Sequence, residues 1–276
     1  MRHELSANVV ISATLVIGFA NAIAKPVTRL ISDLGFQNAL WAGFGLNAIV
    51  CGAFALATGL IYFAPSRPVS QNMLFASYGT LAVFMVPVAS ISWLTLALFG
   101  IFVALRHNDE TGFRAGGAII AAAALRQPVS KAILDLFAGP LLDLDAAAAS
   151  LWISFGRSGI MLDGNMLSTG SSHDLLVLSG CSSFTNLSFA LLIWFCLSMA
   201  VRKQLTGKAW VAAALITVFV PVTNQIRLAL MGFDETTYSF IHDGDGVLIF
   251  EVSLMAGTLA LTYWGLRHVR QQTANV

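Results

Sequence analysis

The chain has 276 residues, 57% of them hydrophobic and only 11% charged, with a mean hydropathy of +0.78. Soluble domains carry about 25% charged residues, so this sequence lacks the groups for a wetted surface and belongs in lipid. A net charge of +1, with no basic block, zinc-type Cys/His spacing, P-loop or dinucleotide fingerprint, gives no reason to expect nucleic acid, a metal or a cofactor.

A spanning helix needs about 20 mostly apolar residues. Runs of suitable character cover 7–24, 39–63, 73–88, 91–105, 115–125, 184–200, 209–233 and 247–266. The expectation is an all-α polytopic membrane protein of about eight transmembrane helices, with a small helical and β-hairpin insertion on the extracytoplasmic side. Residues 7–127 form the N-terminal spans, 128–180 an interfacial segment, and 181–266 the last spans, within one integral membrane domain. The first run imitates a cleavable signal peptide, with Arg2 ahead of it and small Ala20, Ala22 and Ala24 at its end. An uncleaved helix is expected, because many spans follow. Pro87 and the following "ASIS" are read as a tight outer turn between the third and fourth runs, one long kinked helix being the rival. The fifth run is weak and continues past Arg126 and Pro128 as a broken element.

Lys and Arg in short loops set orientation. Eight spans place Arg2, Arg67, Arg106, Arg114, Arg202, Lys203, Lys208, Arg267 and Arg270 on one side, the cytoplasmic one. Among the short loops, Lys25 and Arg29 are the exceptions. The 233–246 loop has four acidic residues and no Lys or Arg, as an outer loop should. Segment 128–180 is then also outside. Its first part has helical apolar spacing broken by Asp135, Asp143 and Asp145, which suits helices on or partly entering the outer surface. Asp163-Gly164 between short apolar runs signals a hairpin, and 174–178 adds a third strand. This β unit either holds a substrate strand beside Cys181 or is a compact linker.

Cys51 and Cys196 fall inside apolar runs, where cysteine acts as a small hydrophobe. Cys181 alone falls at a boundary, at the outer start of the sixth span. Unpaired N–H groups in a first helical turn favour a thiolate, and Ser182 and Ser183 suit a helix start. The bland alternative is a small residue at a helix entrance. Arg227 lies near the outer end of the seventh span, with Asn224 on the same helical face and Pro221 one turn earlier, expected to break the helix. An intramembrane arginine can bind an oxyanion or a peptide carbonyl, or it can snorkel to the interface. His242 precedes the eighth span and can exchange a proton near neutral pH, or simply be solvated. The "DGDG" that follows lacks most ligands of a calcium loop. His173 is the substitute base on the same side, whereas His3, His107 and His268 fall on the other.

The order "SGCSSFTNL", "NQIR" and a late His242 ahead of a final span resembles the exosortase/archaeosortase family of membrane-embedded cysteine transpeptidases. Its pattern is Cys-Ser-Gly at a span entrance, Asn-x-x-Arg and a late His. "GIMLDGNMLSTGSSHDLLVL" is similar to the family's region before the cysteine, and the likeness covers 128–257. The departure is Ser183, where the family usually has glycine. The resemblance implies Cys181 as nucleophile, with Arg227 and His242 as its catalytic partners; Asn224, Ser182 and Ser183 are expected to bind substrate or to support the site. It implies no cofactor. The implied partner is a membrane-anchored exported protein with a C-terminal sorting signal: a Pro-Glu-Pro-like motif, a membrane helix and a basic tail. The implied place is the inner (cytoplasmic) membrane, multi-pass, with the site facing outward. The other readings open at this level are a polytopic transporter and a non-catalytic assembly factor for export of surface polysaccharide or protein.

Overall fold

The computed structural model describes residues 6–267 apart from 87, 108–110, 170–173 and 203–204. It is an all-α, multi-pass membrane protein with one small sheet. Among the described residues, five helices are long and apolar enough to cross a bilayer. Two compact units are present, one from the described residues of 6–129 with 195–205, the other from those of 130–194 with 206–267.

The first unit begins with α1 (Ala7–Leu34), capped by Ser6, whose hydroxyl accepts from Val9 N–H. The apolar run ends at residue 24, yet the helix continues for ten residues. Pro26 does not end it, and Arg29 and Asp33 form an exposed i,i+4 pair along the extension. The second apolar run, expected as one span, is divided. Short α2 (Phe36–Trp41) and α3 (Ala48–Tyr62) flank a 3-10 turn in which Gly43, Phe44 and Gly45 all have positive φ. Three consecutive left-handed residues cannot continue a right-handed helix. At 15 residues α3 is about 22 Å long, short of a hydrocarbon core of about 30 Å.

The third and fourth runs are separate helices, α4 (Gln71–Phe84) and α5 (Ala89–Arg106), so the single kinked helix is excluded. "ASIS" is the first turn of α5 rather than the connection, and Pro87 lies outside the described residues. Polar side chains tie the helices together. Asn8 Nδ2 donates to the carbonyls of Ile61 (2.9 Å) and Ala64 (2.8 Å) at the end of α3, and Asn21 Nδ2 donates to Ser92 Oγ (2.8 Å). The α6 helix (Thr111–Ser154) packs its early residues on α5 through facing glycines. A Cβ on Gly100 would lie 2.7 Å from the Gly117 carbonyl oxygen. This helix passes Arg126 and Pro128 in helical conformation and breaks instead at Phe137 (φ −127°, ψ 18°).

The second unit holds the end of α6, the sheet, the start of α7 (Ser183–Arg202), and α8 (Gly207–Met231), α9 (Glu235–His242) and α10 (Gly246–Arg267). Strands β1 (Met161–Asp163), β2 (Met166–Ser168) and β3 (Asp174–Leu176) form an antiparallel sheet in that order. The expected hairpin is present with its turn one residue later. Asp163 pairs with Met166, and Gly164 (φ 57°) and Asn165 make the loop. Glycine is needed at 164 because an L side chain is strained at that φ. Leu142, Ala146, Ala149 and Ile153 of α6 form a core with Leu167, Leu175 and Val177 of the sheet region, Leu228, Ala229 and Met231 of α8, and Ile241 of α9. Their spacing along α6 is that of one helical face, which explains why this segment folds onto the sheet. Arg157 donates from Nη1 to the Phe233 carbonyl (2.6 Å), anchoring the connection beyond α6 beside the end of α8. The α8 and α10 helices pack closely, since a Cβ on Gly257 would overlap the Phe219 ring. Leu248, Val252, Leu259 and Tyr263 on α10 are exposed, an apolar face suited to lipid.

Candidate active site

The turn carrying Cys181 is built by three elements. Residues Ser179–Cys181 form a single 3-10 turn in which Cys181 N–H donates to the Leu178 carbonyl (2.9 Å). Ser182 is extended, and α7 starts at Ser183. Cys181 therefore stands two residues before the helix, not in its first turn. The first two helix-end donors expected to serve the thiol have other partners. Ser183 N–H donates to Asp145 Oδ2 (2.9 Å), and Phe184 N–H donates to Ser182 Oγ (3.2 Å). Asp145 reaches this position from α6 and is only 5% exposed. A carboxyl oxygen is favoured there, because it meets an otherwise orphaned N–H at the positive end of the helix.

From the other side, Asn224 of α8 takes hold of the same turn. Its Nδ2 donates to the Cys181 carbonyl (2.8 Å) and to Ser183 Oγ (3.1 Å), while its Oδ1 accepts from Asn186 Nδ2 (3.0 Å). Thr185 Oγ1 adds a bond to the Ser179 carbonyl (3.2 Å). Ser182, Ser183 and Asn224 are all buried, so they act on the backbone around Cys181 rather than facing a substrate. The α8 helix runs through Pro221 without breaking, contrary to the expected interruption, and this continuity sets Asn224 and Arg227 on neighbouring positions of one face.

Cys181, Arg227 and His242 line one cleft of about 520 Å³, together with Leu178, Ser179, Gly180, Asn186, Phe250, Glu251 and Leu254. Among the described residues no hydrogen bond joins the Cys181 sulfur to the His242 ring or the Arg227 guanidinium. The cleft thus has room for a reacting group among them, and catalytic bonds often tighten only around substrate. Arg227 is half-buried, and among the described residues its Nε is buried without a hydrogen-bond partner. A buried donor in that state costs about 1–3 kcal/mol. His242 ends α9, a helix capped by Asp234, whose carboxylate accepts from Thr237 N–H (2.8 Å). Its ring stacks on Tyr238 with centroids 4.9 Å apart, and Nδ1 lies 2.8 Å from Asp243 Oδ1. In the tautomer that donates from Nδ1, the Nε2 lone pair is free to take a proton. His173 lies outside the described residues.

Asn186, Tyr238 and Glu251 escaped the sequence reading, and Asp145 entered it only as one of three charges on a surface-lying helix. Asp145 carried a usable signal: it falls on the same helical side as Leu142, Ala146, Ala149 and Ile153, where a carboxyl group needs a partner. Asp145→Ala is expected to strand the Ser183 N–H and lower stability by about 1–3 kcal/mol. Asp145→Asn keeps an acceptor oxygen and should retain most of that stability. Thermal unfolding in detergent measures both, and an alanine variant melting with the parent would show the bond to be dispensable. No protein-family model, curated protein or solved structure matches the chain.

Proposed function

We propose that the protein is a membrane cysteine transpeptidase of the exosortase type, which cleaves the C-terminal sorting signal of an exported, membrane-anchored protein and passes the acyl group to an acceptor. The observation that carries this reading is the meeting of Cys181, Arg227 and His242 in one cleft, from three separate elements. The supporting topology has about eight spans in an inner (cytoplasmic) membrane, with the cleft at the outer face. The acidic 233–246 loop and the Lys and Arg of the opposite loops favour that orientation.

The Cys181 thiol gives its proton to His242 Nε2, and the sulfur attacks the scissile carbonyl carbon. Negative charge gathers on the carbonyl oxygen, where the Arg227 guanidinium donates. The C–N bond breaks as His242 returns the proton to the leaving amine, and a thioester remains on Cys181. An amine or water then attacks the thioester and releases the thiol. The substrate's own membrane helix holds its scissile bond at the depth of the cleft, which supplies proximity without a large binding domain. Asp145 and Asn224 hold the cysteine turn rigid from two sides.

The test uses the full chain in proteoliposomes with a synthetic peptide bearing a Pro-Glu-Pro motif, a membrane helix and a basic tail. Acid quenching during turnover should yield the N-terminal fragment attached at Cys181, detected by mass spectrometry and released by hydroxylamine. Cleavage that proceeds with no adduct at Cys181 would rule out the thioester route. A transporter would neither cleave the peptide nor form the adduct.

A further inference from the structure

The last strand of the sheet, β3, is bonded on one side only, to β2. The bonds just beyond it define which groups face outward. Val177 N–H donates to the Asn165 carbonyl (2.9 Å), and Asn165 Nδ2 donates to the Val177 carbonyl (2.7 Å). Antiparallel ladders alternate, so 165/177 and 167/175 are the bonded pairs, and the N–H and C=O of Leu176 point away from β2. Side chains alternate in step. Leu175 and Val177 are 3% and 0% exposed, whereas Leu176 and Leu178 are 52% and 57% exposed. Among the described residues no strand pairs with this outer edge. Open edges invite another strand, and proteins usually cover or charge them. This one carries the exposed Leu176 and Leu178 beside a single exposed charge, Asp174, at its start.

The edge is continuous with the cleft. Past Leu176 the chain runs through Leu178, Ser179 and Gly180, which are cleft walls, to Cys181. Two extended steps and one 3-10 turn cover about 12 Å, the length of some three or four residues of extended peptide. From β3 the chain proceeds into α7, a helix long and apolar enough to cross the bilayer. A substrate in the reading above also proceeds from an exported domain, through its motif, into a membrane helix. The two chains share a direction.

We propose that the outer edge of β3 is the docking strand for the substrate. The extended segment on the N-terminal side of the scissile bond lies parallel to β3 and exchanges main-chain hydrogen bonds with Leu176, three or four residues before the bond that Cys181 attacks. Main-chain pairing supplies affinity with little demand on sequence, and the exposed Leu176 and Leu178 meet alternate substrate side chains. This inference rests on the catalytic reading, since it takes the cleft as the place of cleavage.

The experiment is an ester scan of the same synthetic peptide against the full wild-type chain in proteoliposomes. Each amide N–H ahead of the scissile bond is replaced, one at a time, by an ester oxygen. Esters at two alternate positions, those whose N–H groups would meet the outward carbonyls of Asp174 and Leu176, should each lower kcat/KM about five- to tenfold, the loss of one hydrogen bond, with little effect at the position between. Leu176→Pro removes the outward N–H without touching a bond to β2, and it should raise KM about tenfold while kcat at saturation holds. Leu176→Ala, which changes only the side chain, should shift KM far less. If Leu176→Pro does not fold, the ester scan still decides. Cleavage with no alternation along the peptide overturns the docking strand and leaves the catalytic reading standing. So does a Leu176→Pro enzyme with unchanged KM that has lost a dimer, because the edge then serves a second copy of the chain. Absence of both cleavage and adduct with every peptide counts against the catalytic reading and takes the docking strand with it.

Discussion

Cys181→Ala should abolish processing of a C-terminally anchored exported protein, by a factor on the order of 10⁴ or more, down to the background rate. The proposed route has one nucleophile, and the two serines that follow it cannot replace it. Ser182 and Ser183 are buried and already committed to the cysteine turn. Membrane insertion should not change, and stability should change little. The Cys181 side chain is only partly buried, and the hydrogen bonds that fix this turn use its backbone. The measurement is a comparison of substrate processing and membrane-fraction abundance in the variant and the parent. Normal processing by a well-inserted alanine variant would remove the thiol from the mechanism.

Arg227→Lys should lower kcat by about 10²-fold, the typical effect of losing one oxyanion donor. Charge is retained, so a role limited to charge, or to snorkelling toward the interface, predicts near-normal rates. Geometry argues otherwise. The guanidinium presents a planar fork from a half-buried position, and its Nε already lies buried without a partner. An ammonium on a flexible stem reproduces neither the fork nor that donor. Steady-state kinetics separate the alternatives. A fall in kcat with little change in KM marks an interaction made mainly in the transition state, whereas a rise in KM alone would reassign Arg227 to substrate binding.

The helices were largely legible in the hydropathy of the chain, but their limits were not. Hydropathy reports where lipid is tolerated and is blind to conformation. It merged α2 and α3 across the left-handed residues 43–45, and it ended α1 ten residues early, where the helix leaves its apolar stretch. The β unit was legible because Gly164 is a local requirement of a tight turn. Around Cys181 the reading went wrong by two residues. A polar stretch followed by an apolar one does not reveal which residue takes the cap, and here a carboxyl from α6 settles it.

Alone, the amino-acid sequence determined that the chain holds several helices apolar enough for lipid, and that a thiol, a guanidinium and an imidazole stand near the ends of apolar runs. These are properties of composition and local pattern, which nearest neighbours suffice to express. Tertiary structure decided that those three groups share a cleft, that Asp145 and Asn224 grip the cysteine turn from opposite elements, and that one edge of β3 stays open beside it. Each depends on contacts between residues tens of positions apart. Such contacts follow from how whole faces pack, and no local pattern encodes them.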